Sequence, residues 1–373
     1  MYQNIIQGIG KLPHIFKDIN CTKLFLVVDS SYPFLSIRDA IETLEVKKVF
    51  FSNFTSNPLY EQVCKGVDFL KAEKCDAILA VGGGSAIDVA KCIKLAVLSK
   101  EGNSVIIPPL VSKRVEIDGS LIPFIAIPTT AGTGSESTHN AVIYYKGSKQ
   151  TVINDGILPD YALLEPSVLK TLPLYQKKCT MMDALCQGIE SWLSVNSTKE
   201  SYEFSRQGIE LIIANWRAYI FNNDTEAASN IMLGANYSGR AINITATTAA
   251  HAMSYKITSL YKLPHGHAVA VVLPEVWQYM VSHIDKCLDV RGREYLTDIF
   301  SKITHAIGVN TPIEAIAIYR QMMKDLELQN PMAINRVREL EILSTSVNPV
   351  RLKNNPIELD VKTIRRLYEE IIK

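Results

Sequence analysis

Apolar residues in the first half of the chain form short runs, and these runs alternate with longer segments of helical periodicity. The run at residues 23–28, KLFLVV, is almost continuously apolar, which predicts a strand buried on both faces. Similar runs predict strands at 48–51, 77–81, 124–127, 141–145 and 162–165. Helices are predicted at 59–74 and 86–97. Alternation of this kind is typical of a parallel sheet with right-handed crossovers.

After residue 165 the strand-like runs fade, and helical periodicity continues to the end of the chain. Helices are predicted at 175–193, 199–220, 225–240, 246–261, 267–282, 296–307, 312–325 and 358–372. The sequence therefore predicts an α/β fold, with a nucleotide-binding domain over residues 1–165 and an all-helical domain over residues 166–373. A cleft between two such domains is where an active site is expected.

Composition narrows the classes of function that fit this fold. The net charge of +1 gives no clustered basic excess, so nucleic acid is not an expected partner. No run approaches the roughly 18 apolar residues of a membrane span, and the N-terminus does not resemble a signal peptide. The seven cysteines are odd in number and include no CxxC pair, which disfavours a disulfide framework. A reducing cytoplasm is the predicted location.

Two small-residue loops follow predicted strands of the first domain. The first loop is Gly82, Gly83, Gly84 and Ser85, and it opens a helix whose unpaired N–H groups can bind a phosphate. The second loop adds hydroxyl groups, from Thr129, Thr130, Thr133 and Ser135. Each loop alone could be a tight turn without a ligand. Two loops at the same edge of one sheet favour a nucleotide site, because open α/β sheets bind ligands there.

Asp29 ends the first predicted strand, where a carboxylate can bind a ribose hydroxyl. A carboxylate at this position disfavours a 2′-phosphate, so NAD(H) is expected in preference to NADP(H). The alternative is that Asp29 caps a turn or a helix.

Residues 250–268 contain three of the seven histidines of the chain. His251 falls in a predicted helix, and His265 falls on the turn that Pro264 and Gly266 are expected to form. Asp183 and Gln187 are four apart, which places them on one face of their helix. Neutral imidazoles together with oxygen ligands predict a divalent metal site. The alternative for each residue alone is an ordinary satisfied polar group.

Ordered motifs connect these features to a known family. GGGSAIDVAK (82–91), PTTAGTGSE (128–136), MDALCQGIES (182–191), HAMSY (251–255) and LPHGHAVAVVLP (263–274) occur in the order found in iron-containing (group III) alcohol dehydrogenases. The sequence resembles this family over nearly its whole length. The resemblance implies a Rossmann-like first domain, an all-helical second domain in a dehydroquinate synthase-like architecture, a bound Fe²⁺ or Zn²⁺, and a homodimer.

The resemblance also implies roles for individual residues. It assigns the metal to Asp183, Gln187, His251 and His265. It places the glycine loop and Asp88 at the cofactor pyrophosphate, the hydroxyl-bearing loop along the cofactor, and Lys149 near the nicotinamide. The sequence departs from the family twice, because Gln187 replaces a histidine ligand and Tyr255 stands where another histidine is frequent. A glutamine oxygen is a weaker ligand than imidazole, so Zn²⁺ binding or loss of the metal is conceivable.

Further segments, QGIESWLSVNST (187–198) and NPVRLKNNP (348–356), are similar to the phosphonoacetaldehyde reductase branch. This resemblance implies reversible hydride transfer from a nicotinamide to a small, anionic aldehyde, which a metal polarises as a Lewis acid. An anionic substrate requires cations, for which Arg240, Lys256 and Arg351 are candidates. His267 is the candidate proton relay, with Tyr255 as its competitor.

Other functions fit the same motifs. One is a general short-chain alcohol or aldehyde dehydrogenase, and a second is a metal-independent reductase similar to maleylacetate reductases. A third is a nucleotide-binding relative without catalysis, in which Gln187 marks loss of the site. Lyases and polyol-phosphate dehydrogenases of the same fold are disfavoured by the placement of the helical motifs.

Overall fold

The computed structural model describes residues 3–99 and 122–373. Contacts between residues divide the chain into two compact units, Met1–Leu172 and Pro173–Lys373. The stretch between the predicted boundary at residue 165 and this division contains a short 3-10 helix, Pro166–Thr171. The predicted α/β class is confirmed, because the first unit is built on a parallel sheet and the second consists of helices.

The first unit is organised around a six-stranded sheet. The strands of the unit are, in chain order, β1 (Asn4–Gln7), β2 (Lys23–Val28), β3 (Lys47–Phe51), β4 (Ala77–Gly82), β5 (Phe124–Pro128), β6 (Asn140–Tyr145), β7 (Ser148–Ile153) and β8 (Tyr161–Leu164), and all but β6 and β7 belong to this sheet. The sheet runs in the order β1-β8-β5-β4-β2-β3, and all neighbouring pairs are parallel. Strands β2, β4 and β5 are buried almost throughout, as their apolar runs predicted. Strand β1 was not predicted, because this short edge strand has only two central apolar residues.

The predicted strand at residues 141–145 does not extend the parallel sheet. It forms β6, which pairs antiparallel with β7 in a separate two-stranded sheet. The two residues that connect them, Lys146 and Gly147, both have positive φ angles, 49° and 76°. A two-residue turn of this kind joins antiparallel strands, whereas parallel strands need a crossover. Strand β7 was missed because its sequence, SKQTVI, is largely polar.

The glycine loop of the first unit is attached to a deeply buried helix. The helices of this unit are α1 (Leu12–Asp18), α2 (Arg38–Glu42), α3 (Tyr60–Glu73) and α4 (Gly84–Leu98). Helix α4 follows β4 directly, and even its two lysines near the middle, Lys91 and Lys94, are at most 1% exposed. Lys94 Nζ forms an ion pair with Asp160 Oδ2 at 3.0 Å. Because most residues of α4 are buried, the position of its N-terminus is fixed, and so is the end of the loop that precedes it.

The second unit is a bundle around one buried helix. Its helices are α5 (Leu174–Leu193), α6 (Lys199–Phe221), α7 (Thr225–Thr245), α8 (Ala249–Tyr261), α9 (His265–Ser282), α10 (Arg293–Ile307), α11 (Pro312–Asp325), α12 (Arg336–Ser346), α13 (Pro349–Leu352) and α14 (Val361–Ile371). Helix α5 is buried along most of its length and packs against α6, α7 and α9. Two of these helices were not predicted. Helix α13 has only four residues, and α12 lacks a clear apolar face. Over residues 3–99 and 122–373, no helix is both long and apolar enough to cross a membrane.

Small residues let the helices around α5 approach closely. A Cβ atom on Gly208 of α6 would lie 2.7 Å from Ser238 Oγ and 3.1 Å from the Gly234 carbonyl oxygen, both on α7. Gly188 of α5 is similarly close, since its Cβ would lie 3.1 Å from the same hydroxyl. Interiors packed at this density tolerate no added methyl group without a shift of backbone. The position of α5 is therefore set within narrow limits.

Helix α9 contains a proline, Pro274, whose missing N–H leaves the Ala270 carbonyl without its usual helical donor. The Tyr319 hydroxyl, from α11, donates to that carbonyl oxygen at 3.1 Å. The same hydroxyl lies 3.1 Å from the Cys186 Sγ atom on α5. One tyrosine thus satisfies the interrupted helix and links α5 with α9.

Candidate active site

The glycine loop at the start of α4 leaves open space at only one of its three glycines. A Cβ on Gly82 would lie 2.5 Å from Asp29 Oδ2, and one on Gly84 would lie 2.9 Å from Thr133 Oγ1, so packing requires both glycines. A Cβ on Gly83 would meet nothing nearer than Thr130, at 3.8 Å. The φ angle of Gly83, −71°, is also ordinary for any residue. Glycine at position 83 therefore fits close approach of a ligand, as a pyrophosphate at a helix N-terminus requires.

Asp29 holds the glycine loop in place. Its Oδ2 atom accepts a hydrogen bond from the Gly83 N–H at 2.9 Å, and Oδ1 accepts one from the Ser31 N–H at 2.9 Å. The structure thus gives Asp29 the turn-capping contacts that were the alternative to ribose binding. Recognition of the ribose by Asp29 remains a prediction.

Two residues predicted at the cofactor, Asp88 and Ser135, instead connect the second loop to α4. Ser135 Oγ donates to Asp88 Oδ1 at 2.6 Å, and Asp88 Oδ2 accepts from the Val142 N–H at 2.9 Å. Lys91 Nζ donates to Ser135 Oγ and Thr138 Oγ1, both at 3.0 Å. Burial raises the pKa of Asp88 and lowers the pKa of Lys91 to about 8. Lys91 was missed from the sequence because a lysine within a helix is ordinarily a surface residue.

The remaining predicted cofactor residues lie around these two loops. Thr129 N–H donates to the Gly82 carbonyl at 3.0 Å, which joins the loops directly. The Ser85 hydroxyl donates to the Ser56 carbonyl. Lys149 is on β7, and its charge acts on the Asp88 carboxyl group. Thr130 is the nearest neighbour of the open position at Gly83. Contacts of these residues with a cofactor remain predictions.

A pair of alanine substitutions separates ligand binding from packing at this loop. We expect Gly83→Ala to leave the melting temperature unchanged and to raise the Kd for NADH about tenfold or more, because overpacking typically costs about 1–3 kcal/mol. Gly84→Ala should instead lower stability, since its Cβ would press on Thr133 Oγ1. Fluorescence titration with NADH and thermal unfolding would measure both. Equal NADH affinity for Gly83→Ala and wild type would contradict the assignment of this loop.

Three side chains from three helices of the second unit form a cluster that could hold a metal ion. One ligand atom each from Asp183 on α5, His251 on α8 and His265 on α9 lie within 4.8 Å of one another. Asp183 and His251 are 3% and 4% exposed, and Asp183 Oδ1 is 3.3 Å from His251 Nε2. A carboxylate with two imidazoles is a donor set that suits a divalent first-row metal. Three of the four residues predicted for the metal, Asp183, His251 and His265, therefore fit such an ion.

His265 is not on a turn, as its neighbours had predicted. It is the first residue of α9, and Pro264 is the N-cap residue of that helix. The predicted turn at Gly266 is wrong for a packing reason, since a Cβ there would lie 2.0 Å from the Cys179 carbonyl oxygen and 2.9 Å from Asp183 Cβ. Glycine at position 266 serves close contact between α9 and α5. That contact brings His265 next to Asp183.

Gln187, the unusual fourth member of the predicted set, lies one helical turn after Asp183 on α5. It is 4% exposed, so its amide is buried in the same region of the helix. Residues four apart on a helix lie on the same face, which is consistent with a ligand position. Ligation of a metal by Gln187 remains a prediction.

Glu190 is a residue of this site that the sequence analysis missed. It is fully buried on α5, and its Oε2 atom forms a hydrogen bond with His251 Nδ1. Burial opposes protonation of His251, but the negative charges of Glu190 and Asp183 outweigh it and raise the pKa of His251 to about 9. The spacing of Asp183, Gln187 and Glu190, at i, i+4 and i+7 on one helix, was the pattern that would have revealed it.

The raised pKa of His251 predicts pH-dependent metal binding. A coordinated imidazole must be neutral, so below about pH 9 the metal displaces a proton from His251. We expect affinity for Zn²⁺ to fall about tenfold per pH unit as the pH is lowered from 8.5 to 6.5, with about one proton released per ion. Calorimetric titration in buffers of different ionisation enthalpy would measure both quantities. A pH-independent affinity would contradict this assignment.

Tyr255 contacts His265, and Arg351 in turn contacts Tyr255. The Tyr255 ring stacks on the His265 ring, with centroids 5.7 Å apart and planes inclined by 6°. The Arg351 guanidinium lies 5.0 Å from the Tyr255 ring centroid, and its Nη1 donates to the Tyr255 hydroxyl at 3.3 Å. A cation predicted from the sequence thus lies two side chains away from a candidate metal ligand.

The other predicted substrate cations differ in position. Lys256 follows Tyr255 on α8 and is partly buried. Arg240 is on α7, where its guanidinium lies 3.9 Å from the ring centroid of Phe204 and 5.8 Å from that of Tyr237. Arg240 therefore has a packing role against aromatic residues, which the sequence alone did not reveal.

His267, the predicted proton relay, is committed to two contacts away from the metal cluster. Its Nδ1 atom is 2.8 Å from the Tyr175 hydroxyl, and its Nε2 atom is 2.9 Å from the Gln329 carbonyl oxygen. A carbonyl can only accept, so Nε2 carries the proton and Nδ1 accepts from Tyr175. Burial also lowers the pKa of His267. These contacts favour a structural role and disfavour a relay.

Known proteins are similar to this chain over both units. The chain matches the family model for iron-containing alcohol dehydrogenase over residues 3–166, and the C-terminal model of the Fe-containing alcohol dehydrogenase family over residues 178–372. NAD-dependent methanol dehydrogenase of Bacillus methanolicus is 27% identical over 367 residues, which cover 95% of this chain and 94% of the relative. Phosphonoacetaldehyde reductase of Streptomyces viridochromogenes is 29% identical over 317 residues, which cover 81% and 77%.

A solved structure agrees with the fold. Sulfoacetaldehyde reductase of Bifidobacterium kashiwanohense, determined in complex with NAD⁺, aligns with a TM-score of 0.87 over 99% of this chain and 96% of its own. Its sequence is 21% identical, so the similarity bears on the fold alone.

Proposed function

This chain belongs to the iron-containing alcohol dehydrogenase family, and on that premise we propose that it reduces a small anionic aldehyde to a primary alcohol. The chain is an NAD(P)-dependent alcohol dehydrogenase or aldehyde reductase, as its family and relatives indicate. The substrate that we propose is phosphonoacetaldehyde, with 2-hydroxyethylphosphonate as product. Residues 1–165 would hold the nucleotide, and residues 166–373 would hold the metal and the aldehyde.

The metal would be held by Asp183, His251 and His265, with Gln187 as the fourth ligand. A divalent Fe²⁺ or Zn²⁺ ion polarises a carbonyl group and stabilises negative charge on its oxygen. The three helices fix the positions of these side chains before a substrate binds. That order is the preorganisation on which electrostatic catalysis depends.

The cofactor would bind at the glycine loop of the first unit. NAD(H) supplies or accepts the hydride, and the protein contributes orientation. The open position at Gly83 and the N–H groups at the start of α4 receive the pyrophosphate. The buried Asp88–Lys91–Ser135 contacts hold the second loop against the same helix. NAD(H) is preferred to NADP(H), because Asp29 would repel a 2′-phosphate.

Proton transfer to the product alkoxide is assigned to Tyr255. The Tyr255 ring stacks on the ring of His265, a candidate metal ligand, which supports a role beside the carbonyl group that the metal would polarise. Tyr255 is the better candidate of the two predicted acids, because both nitrogens of His267 are held by other groups.

The observation that carries the choice of an anionic substrate is the Arg351–Tyr255–His265 stack. The stack is consistent with a permanently charged guanidinium two side chains away from His265, a candidate metal ligand. Guanidinium groups bind tetrahedral oxyanions through two parallel hydrogen bonds, which suits a phosphonate. Lys256, the next residue of α8, would add a second positive charge. The relative from Streptomyces viridochromogenes carries the same substrate in its name.

A substrate profile tests this proposal. NADH and NADPH oxidation would be followed with phosphonoacetaldehyde, sulfoacetaldehyde and butyraldehyde, each with Fe²⁺ or Zn²⁺ and after chelation. We expect the highest kcat/KM with phosphonoacetaldehyde and NADH, and loss of activity on chelation. Equal rates with butyraldehyde would favour the general alcohol dehydrogenase. Activity that survives chelation would favour the metal-independent reductase, and no turnover at all would favour the non-catalytic relative.

Two further features belong to the proposal. We infer a homodimer from the family alone. We infer a reducing, cytoplasmic location because the seven cysteines are free thiols. Sedimentation analysis would test the oligomeric state.

A further inference from the structure

Glu190 is a fully buried acid in the middle of the second unit, and its contacts divide between its two oxygens. The Oε1 atom accepts hydrogen bonds from the Thr248 N–H at 3.0 Å, the Thr248 hydroxyl at 2.9 Å and the His251 N–H at 3.2 Å. The Oε2 atom is bonded to His251 Nδ1. One carboxylate therefore binds the backbone at the start of α8 and the imidazole that α8 carries.

The Oε1 contacts fix where α8 begins. Thr248 is the N-cap residue of α8, and the Glu190 carboxylate, from α5, supplies acceptors for N–H groups that have no partner within the helix. A negative charge at a helix N-terminus is also favourable to the helix dipole. These hydrogen bonds fix the residue at which α8 begins. They also fix the position of His251 relative to α5.

The junction before α8 needs this support. Ala246, which joins α7 to α8, has φ of 55° and ψ of 177°, a conformation that is ordinarily restricted to glycine. The preceding Thr245 hydroxyl donates to Ser191 Oγ at 2.8 Å, one residue after Glu190 on α5. Two successive residues of α5 therefore hold a strained connection in its position.

The Oε2 contact decides which nitrogen of His251 faces the cluster. Because the carboxylate can only accept, Nδ1 carries a proton, and Nε2 is directed to Asp183 at a distance of 3.3 Å. We propose that Glu190 is a positioning residue, which orients His251 for metal binding through Nε2 and sets the start of α8. This inference rests on the metal site of the proposed function. Partners of this kind typically contribute about 10–100-fold to metal affinity.

The Glu190→Gln variant tests the proposal because a carboxylate has two acceptor oxygens, whereas an amide has one acceptor oxygen and one donor NH₂ group. Three donors require the amide oxygen at the Oε1 position, which places the NH₂ group opposite His251 Nδ1. Two donors then face each other whenever Nε2 binds a metal. We expect the affinity of the metal-free protein for Co²⁺ to fall about 10–100-fold, with a shifted Co²⁺ absorption spectrum and a retained fold.

The matched control is Glu275→Gln, on α9, where a glutamate pairs with Arg320 at 2.9 Å. It should bind Co²⁺ as the wild type does. Direct titration with Co²⁺ needs neither substrate nor nucleotide, so its outcome is independent of which aldehyde the enzyme uses. Unchanged affinity in a folded Glu190→Gln protein would overturn the role of Glu190 alone. A wild-type protein that binds no metal would overturn this inference and the metal-assisted reaction together.

A measurement on the wild type covers the case in which Glu190→Gln does not fold. In ¹⁵N-histidine-labelled protein loaded with ¹¹³Cd²⁺, scalar coupling identifies the ligating nitrogen. We expect coupling to Nε2 of His251 and a protonated Nδ1. Coupling to Nδ1 would refute the proposal.

Discussion

Replacement of Asp183 by asparagine is expected to lower kcat/KM for every accepted aldehyde by about a thousandfold. Asp183 is the one carboxylate in the cluster with His251 and His265, and asparagine keeps its shape while it removes the charge. Weaker metal binding removes Lewis-acid stabilisation worth several kcal/mol, and each 1.36 kcal/mol is a factor of about ten in rate. Steady-state kinetics with NADH, together with metal analysis of the purified protein, would measure the effect.

The control for Asp183→Asn is the opposite change at Gln187, the neighbouring candidate ligand. Gln187→His should bind metal more tightly than the wild type, because imidazole is a stronger ligand than an amide oxygen for these ions. Thermal unfolding of both metal-free variants would confirm that the fold is intact. If Asp183→Asn retained full metal content and full activity, the cluster would have no part in the reaction.

Replacement of Arg351 by alanine is expected to change specificity more than catalysis. A hydrogen bond to a charged group contributes about 1.5–3 kcal/mol, so kcat/KM for phosphonoacetaldehyde should fall about 10- to 100-fold. The value for butyraldehyde should change by no more than about threefold, since no anion is present to bind. Arg351→Lys should recover part of the loss, because lysine keeps the charge but not the bidentate geometry.

Arg240→Ala is the matched control for Arg351→Ala. Both residues were candidates for anion binding, and the guanidinium of each packs on an aromatic ring. The ring is Phe204 for Arg240 and Tyr255 for Arg351, and only Tyr255 is described in contact with a candidate metal ligand, His265. Any loss in Arg240→Ala should be the same for charged and uncharged aldehydes, as for a change in stability. Equal losses on both substrates in Arg351→Ala would show that Arg351 does not bind the anion.

The elements that the sequence predicted well are those whose pattern is local. Strands β2, β4 and β5 were evident because strands covered on both faces are apolar throughout. The hairpin strand β7 lacks such a pattern because most of its residues are polar. The edge strand β1 lacks it because it is short and pairs with β8 on one side only. Gly266 was misread for a related reason, because its small size serves a contact with Cys179, far away in the sequence.

The candidate site was predictable in its residue types but not in its contacts. Asp183, His251 and His265 were identified from their motifs, and the structure brings them together. Which oxygen or nitrogen each side chain uses depends on partners from other elements. Asp29 was predicted at the cofactor ribose and His267 as the proton relay, and the structure shows contacts of both with the protein itself. Glu190 shares a face of α5 with Asp183, but its partners, Thr248 and His251, belong to another part of the sequence.

The proline in α9 has a consequence for how this helix opens. Pro274 has no N–H to donate, so the ladder of helical hydrogen bonds is interrupted between the turn that follows His265 and the far end of the helix. We expect fraying that starts at Ser282 to pass less readily beyond the proline, so that amide hydrogens near Ser282 exchange faster than those near His265. The hydroxyl of Tyr319 secures the segment on the slow side. We therefore expect the position of His265 to depend little on fraying at the opposite end of its own helix.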